Sequence, residues 1–314
     1  MAGLLVLLRS KGETAEEMAG FIKAMRASMV PVHSSHAVTL DTCGTGGDGK
    51  ETFNISTAAA FVVAGAGIPV AKHGNRSVSS RCGSADVLEA LGVRIDMPRE
   101  VSEKCLREIG ITFLFAPLYH PAMKNVAPVR KELGVRTVFN FLGPLVNPAR
   151  TNAQVIGVPQ IKWVSIIARA LVKIERGQKY CAMVLHEDGH DEVVLSGKCK
   201  ILEIQHGKIR SRILVPKDFG LPKVKKDTLK GGDIQTNAQF LREVLSGKES
   251  AFGNVVIANA ALGLLCAEKA QSSKTSFSGS ALKLAVQRAQ ESIRCGAALE
   301  KLEKLIAVSQ APIA

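Results

Sequence analysis

The chain has 314 residues, 46% of them apolar and 22% charged, a balance that supports a substantial globular core and fits two domains better than one. Its net charge of +13 raises the question of a polyanionic partner, yet aromatics make up only 4%, too few to interleave stacking rings among the cations as single-strand binders do. No apolar run reads as long enough to span a membrane, and LLVLL near the start lacks the basic prelude and cleavage site of a signal peptide. Seven scattered cysteines without CxxC spacing read as buried free thiols of a reducing cytoplasm.

In chain order, Thr14 followed by Glu17 is a capping box, and Met18, Phe21, Ile22 and Met25 repeat at helical spacing, so 15–28 is predicted as an amphipathic helix. Strands are expected at 37–41, 68–72, 111–116, 153–158 and 180–185. Val164, Ile167, Leu171 and Ile174 mark a helix between the last two, and strand-helix-strand alternation signals a parallel sheet. Residues 193–215 alternate more and carry Gly197 and Gly207 as turns, which predicts antiparallel strands at one side. The tail over 280–308 reads as helical, with Leu299, Leu302 and Ile306 on one face. The basic stretch 198–226, with Lys200, Lys208, Arg210, Arg212, Lys217, Lys223 and Lys225, reads as a solvated face that would also draw in a polyanionic substrate.

The most telling segment is Cys43 to Thr57, CGTGGDGKETFNIST, with four glycines in a turn-forming run between an apolar strand and a helix starting near Ser56 and Thr57. Such glycines leave backbone N–H groups bare to cradle phosphate oxygens, and the helix start adds its own unpaired N–H groups. Gly44, Gly49 and Lys50 match the opening of a P-loop, but Glu51 stands where a Ser or Thr must reach Mg²⁺, so that reading fails. Asp48 inside the loop points instead to a site where a metal or a ribose hydroxyl meets the anion.

A second loop follows the next strand. KHGNRSVSSRCGSADVLEALG brings Lys72, His73, Asn75, Arg76 and a cluster of serines before another helix, which Ser84 can cap. If both loops follow neighbouring parallel strands they lie side by side and make a two-part anion site.

These motifs resemble anthranilate phosphoribosyltransferases. The matching residues are GTGGDG and TFNIST within 44–57, KHGNRSVSS and GSADVLEALG within 72–92, RKELGVRTVFNFLGPLVNP at 130–148 and DGHDEV at 188–193. GGD at 231–233, Asn237, Ala238 and NAA at 259–261 continue the match in order. The resemblance implies an α/β fold in which a small N-terminal all-helical domain, truncated at its start, accompanies a large α/β domain with a mostly parallel central sheet. It implies a small domain of 1–36 plus about 99–134, a large domain of 37–98 plus about 135–314, and an active site in the cleft between them. Met1 would stand inside a later helix of the small domain, with about two helices of the family's dimer-forming region before it.

The activity so implied is transfer of a phosphoribosyl group from 5-phosphoribosyl 1-diphosphate to anthranilate, a cytoplasmic, Mg²⁺-dependent step of tryptophan biosynthesis. Gly44, Gly47, Asp48, Thr52, Asn54, Ile55, Ser56 and Thr57 would hold the donor. Lys72, His73, Gly74, Asn75, Arg76, Ser77, Val78, Ser79, Ser80 and Ser84 would belong to the same site, the 72–80 loop closing over it. Asp191 and Glu192, with Ser56, would ligate Mg²⁺, and both carboxylates should be exposed to the cleft. Gly44, Asn75 and Arg130 would face anthranilate, Arg130 because a guanidinium fork suits a carboxylate. Arg136 reads as structural, and His73 as a positioning residue rather than a base. His190 replaces the apolar residue usual before the acidic pair, and Cys82 stands where serine is common. Two alternatives are a nucleic-acid-binding relative without transferase activity, which the charge would suit, and a pyrimidine nucleoside phosphorylase, which the GTGGDG loop disfavours.

Overall fold

The computed structural model describes residues 1–77, 81–175, 179–272 and 275–311. The expected contributions of Val78, Ser79 and Ser80 therefore lie outside the described residues.

Among the described residues seven strands form one sheet: β1 (Leu40–Gly44), β2 (Val70–Gly74), β3 (Ile111–Phe115), β4 (Ala153–Gly157), β5 (Cys181–His186), β6 (Cys199–Gln205) and β7 (Lys208–Leu214), in the order β3-β2-β1-β4-β5-β6-β7. The first five neighbours run parallel and the last two pair antiparallel. β1 lies between β2 and β4, so the winding reverses there, and the crevice beyond the carboxyl ends of β1 and β4 is where such sheets bind ligands. β1 and β2 start two to three residues later than the apolar pattern suggests. Pro69 has no N–H to donate, though its carbonyl accepts from Leu40 N–H at 2.8 Å, while the Asn152 side chain occupies Thr39 N–H and the Ala37 carbonyl.

One face of the sheet is covered by helices Ile55–Gly65, Ala251–Gln271, Gly279–Arg294 and Ala297–Gln310. Ile55–Gly65 is apolar on every side and buried accordingly. Ala251–Gln271, at 21 residues, is long and apolar enough to cross a membrane, which corrects the expectation that no apolar run reaches that length. Here it is a core helix, packed on Ile55–Gly65, β4 and β5. The predicted helical tail is two helices, broken where Gly296 takes φ 79°. At the antiparallel edge, Lys269 and Glu203 form a buried pair at 3.1 Å, and Arg212 bonds Glu203 at 2.6 Å, so Arg212 departs from the solvated basic face expected of this segment.

The opposite face carries helices Ile161–Ile174 and Ala15–Ser28. The capping box is present: Thr14 Oγ1 accepts from Glu17 N–H at 3.2 Å and Glu17 Oε2 accepts from Thr14 N–H at 2.9 Å. Met18, Ile22 and Met25 join Trp163, Ile167 and Leu171 in one cluster. Arg99–Ile109 packs on β3 and on the last helix, and Ile111–Phe115 is the parallel edge strand. Among the described residues the seven cysteines form no disulfide; five are buried, Cys43 is half-buried and Cys295 is exposed.

Candidate active site

Beyond β1, positive φ at Gly46, Gly47 and Gly49 turns the chain back on itself before the helix that starts at Ile55. Register aligns Gly44 with Gly157 on β4, and neither can carry a side chain. A Cβ on Gly44 would overlap the Asp191 carboxylate, and one on Gly157 would overlap the Asp191 backbone. Glycines at two adjacent strand ends thus admit the acidic segment into the loop. Asp191 Oδ2 accepts from Gly46 N–H at 2.7 Å, and Glu192 Oε1 accepts from Ser56 N–H at 3.2 Å. The chain brings these residues together from 136 and 145 positions away because β5 ends in a tight reversal. Asp188 (φ 49°) and Gly189 (φ 83°) are its central residues, and Glu187 pairs with His190 across it.

Both carboxylates are half-buried rather than exposed as expected. Burial, then the charge of Asp48, raises Asp191 to about 7; burial, then the charge of Asp191, raises Glu192 to about 8. Glu192 Oε2 is buried and has no hydrogen-bond partner. An unpaired acceptor beside a second carboxylate fits a hard divalent cation. Among the described residues no group of three or more His, Cys, Asp or Glu side chains gathers, so a cation held by this pair would complete its shell with oxygens from ligand, hydroxyl or water.

The cationic side comes from β2. Lys72 is 3% exposed, and its ammonium donates to the Thr42 carbonyl at 2.7 Å and to Ser56 Oγ at 3.4 Å. Behind it lies Asp41, raised to about 6 by burial, whose Oδ2 accepts from Asn147 at 2.8 Å. His73 is buried between the Gly143 carbonyl, 2.9 Å from Nδ1, and His120 Nε2, 3.2 Å from its Nε2. Burial and then the neighbouring ring depress it to about 3, so it is neutral and has both nitrogens engaged.

Three expected residues have other partners. Ser84 does not cap the second helix: Gly83 is the N-cap, its N–H donates to Asp86 Oδ2 at 2.8 Å, and Ser84 Oγ turns to the Asn75 carbonyl. The helix begins at Ser84 rather than after it, so this side chain is one residue past the capping position, and Asp86 accepts from the N–H groups of Gly83 and Ser77. Arg76 is tied to Asp86 and Glu89 at 3.0 and 2.8 Å. Asn75 is exposed and its Oδ1 accepts from Arg76 N–H. Thr52 bridges to Lys230, Asn54 Nδ2 donates to the Cys82 carbonyl while its Oδ1 is buried and unpaired, and Thr57 is buried in the helix. Glu51, which spoils the P-loop motif, pairs with Arg81 at 3.4 Å and so links the two loops.

Arg130 lies in the helix Ala127–Leu133, half-buried, 5.9 Å from the Phe139 ring and with no acidic partner among the described residues. Arg136, read as structural, reaches into the site: its guanidinium donates to the Gly47 carbonyl at 2.6 Å and the Gly46 carbonyl at 2.9 Å, with Phe141 beneath it at 5.0 Å. Gly47 must lack a Cβ to admit it. The signal in the sequence was the pairing of a bare glycine run with an arginine beside aromatic residues, but nothing in the spacing tells which of two arginines six apart turns inward.

A model of the glycosyl transferase family a/b domain matches residues 36–299, and one of the glycosyl transferase family helical bundle domain matches 1–29. An anthranilate phosphoribosyltransferase of Moorella thermoacetica is 47% identical over 98% of this chain and 87% of its own. The chain belongs to the anthranilate phosphoribosyltransferase family. The crystal structure of the family's Thermus thermophilus member aligns with TM-score 0.89 and 43% identity over 99% of this chain and 89% of that one. The Saccharomyces cerevisiae member in complex with PRPP and Mg aligns with TM-score 0.87 and 31% identity over 98% and 84%. The same yeast enzyme in complex with 4-fluoroanthranilate gives 0.85 and 30% over the same shares.

Proposed function

We propose that this protein transfers the 5-phosphoribosyl group of 5-phosphoribosyl 1-diphosphate to the amine of anthranilate, releasing N-(5-phosphoribosyl)anthranilate and diphosphate in tryptophan biosynthesis. The observation that carries this reading is the meeting, at the carboxyl ends of β1, β2 and β4, of a bare glycine loop, the buried Lys72 ammonium and the Asp191–Glu192 pair. The chain's membership of the family supports it. A nucleic-acid binder would have no need for this set, and relatives with donor and acceptor analogue bound favour neither alternative.

In the reaction a pyrophosphate leaves C1 of the ribose while positive charge builds on the ring, so the departing anion must be neutralised. We assign donor binding to Gly44, Gly47, Asp48, Asn54, Ser56 and Thr57, with Lys72 supplying an ammonium already desolvated behind the loop. Asp191, Glu192 and Ser56 would hold Mg²⁺, which when bound supplies Lewis-acid neutralisation of the diphosphate. Arg136 would hold the Gly46 and Gly47 carbonyls away from the phosphate oxygens of the donor. Asn75 and Arg130 are assigned to the acceptor, where a guanidinium can take the anthranilate carboxylate. His73 has no free nitrogen, in keeping with a positioning role. No strong base is needed, because the aromatic amine's proton becomes acidic only as the C–N bond forms, and orientation supplies much of the rate.

The test is product identification by mass spectrometry after incubation with anthranilate, the donor and Mg²⁺. The phosphoribosyl adduct should form only with the donor present. Absence of the adduct with folded protein would overturn the assignment.

A further inference from the structure

The acidic pair sits on an irregular segment, yet it is held from both sides. On one side is the reversal at Asp188 and Gly189. On the other, Asn259 of the helix Ala251–Gln271 brackets Val193, accepting from its N–H at 3.1 Å and donating to its carbonyl at 2.8 Å. Beyond Val193 the chain turns through Leu195, whose φ of 56° a leucine adopts only under constraint.

The constraint is Glu187. It is 1% exposed, and its carboxylate collects four donors: Val194 N–H to Oε2 at 3.0 Å, and Ser196 N–H at 2.6 Å, Ser196 Oγ at 3.0 Å and Gly197 N–H at 2.9 Å to Oε1. The left-handed Leu195 is what turns these successive N–H groups toward one point, forming an anion-binding concavity that the protein fills with its own carboxylate. Burying a carboxylate without a cation is costly unless it is saturated with hydrogen bonds, which this one is. These bonds close a loop of 187–197 whose middle is Asp191 and Glu192.

Resting on the assignment of Asp191 and Glu192 to the metal, we propose that Glu187 is a positioning residue for metal-assisted donor binding: its carboxylate, through Val194, Ser196 and Gly197, fixes the geometry at which the two ligating carboxylates meet the glycine loop. Glu187 touches neither metal nor substrate. Its loss would loosen the pair rather than remove it.

Three proteins decide this: Glu187→Gln, which keeps the shape but turns an amide donor toward donors; Glu187→Asp, which keeps the charge one methylene short; and Asp191→Asn with Glu192→Gln as reference. For each, the rise in melting temperature produced by the phosphoribosyl donor is measured with Mg²⁺ and with EDTA, beside the KM for donor and for anthranilate. In the parent the donor-induced rise should be larger with Mg²⁺. Glu187→Gln should lose most of that Mg²⁺-dependent increment and raise the donor KM about tenfold at an anthranilate KM within twofold, with Glu187→Asp intermediate; tenfold corresponds to about 1.4 kcal/mol. A merely structural carboxylate would lower the basal melting temperature and leave both the increment and the KM ratio unchanged, which would overturn the proposal. If the Asp191/Glu192 reference also kept its Mg²⁺ dependence, the metal assignment itself would fall, and this proposal with it. If the reference lost it while both Glu187 variants kept it, only the role of Glu187 would fall.

Discussion

The Gly46 amide donates to Asp191 Oδ2 at 2.7 Å, and this bond makes the glycine loop and the acidic pair a single unit across strands β1 and β5. The loop alone is an anion cradle and the pair alone is an acidic turn. Joined, on the function proposed above, they would present a phosphate site and a cation site to the same ligand.

The first prediction follows from that junction. Gly44→Ala places a methyl group on the Asp191 carboxylate, and overpacking of this kind costs about 1–3 kcal/mol. Donor kcat/KM should fall at least about tenfold, the rate equivalent of 1.4 kcal/mol. Gly20→Ala, where nothing lies within 4 Å, is the control and should leave kinetics unchanged. Steady-state rates with donor varied check this, and equal kinetics for the two variants would contradict it.

On the proposed assignment, two arginines six residues apart divide acceptor from donor. Arg130→Ala should raise the anthranilate KM about tenfold to a hundredfold, the loss of a charge-assisted contact of roughly 1.5–3 kcal/mol, with the donor KM little changed. Arg130→Lys should recover only part, since it lacks the fork. Arg136→Ala should do the reverse and raise the donor KM, because the Gly46 and Gly47 carbonyls lose the guanidinium that restrains them. Varying each substrate in turn on folded variants checks both; a shared loss in both KM values would mean that the arginines serve only stability.

The buried imidazoles set an acid limit. His73 is depressed to about 3 and His120 to about 4, both chiefly by burial, from an ordinary value near 6.5. Below about pH 6.5 the unfolded chain takes up protons that the folded chain refuses, so these groups contribute stability above that pH and lose it as pH falls toward their folded values. Asp41, raised to about 6, works in the opposite sense, so the comparison must be differential. The stability gap between the parent and His73→Asn, measured by urea unfolding, should narrow from pH 7 to pH 4. A gap constant with pH would show that His73 is not held neutral by the fold.

The alternation of apolar runs and helical periods made the parallel sheet and its antiparallel edge legible, because both are set by local patterning. The helix at 15–28 was equally plain from Thr14 and Glu17. What could not be read was whatever depends on long-range approach. Ser84 looked like a cap, but the helix begins at it, with Gly83 as the N-cap. Arg136 looked structural because its partners are backbone carbonyls ninety residues away. Glu187, Asp41 and His120 carry no motif at all; they are visible only once the chain brings donors to them. The half-burial of Asp191 and Glu192 likewise follows from Gly44 and Gly157, whose missing side chains say nothing until the strands are in register.

The measurement that bears most directly on the account is the loss of anthranilate fluorescence on adding the phosphoribosyl donor, followed with Mg²⁺, after chelation by EDTA, and after restoring excess Mg²⁺. We predict rapid loss, arrest on chelation and recovery on restoring the metal, with the Asp191→Asn, Glu192→Gln double variant slow throughout. Full turnover in a thoroughly chelated sample, or parent-like rates in the double variant, would contradict the assignment of the acidic pair.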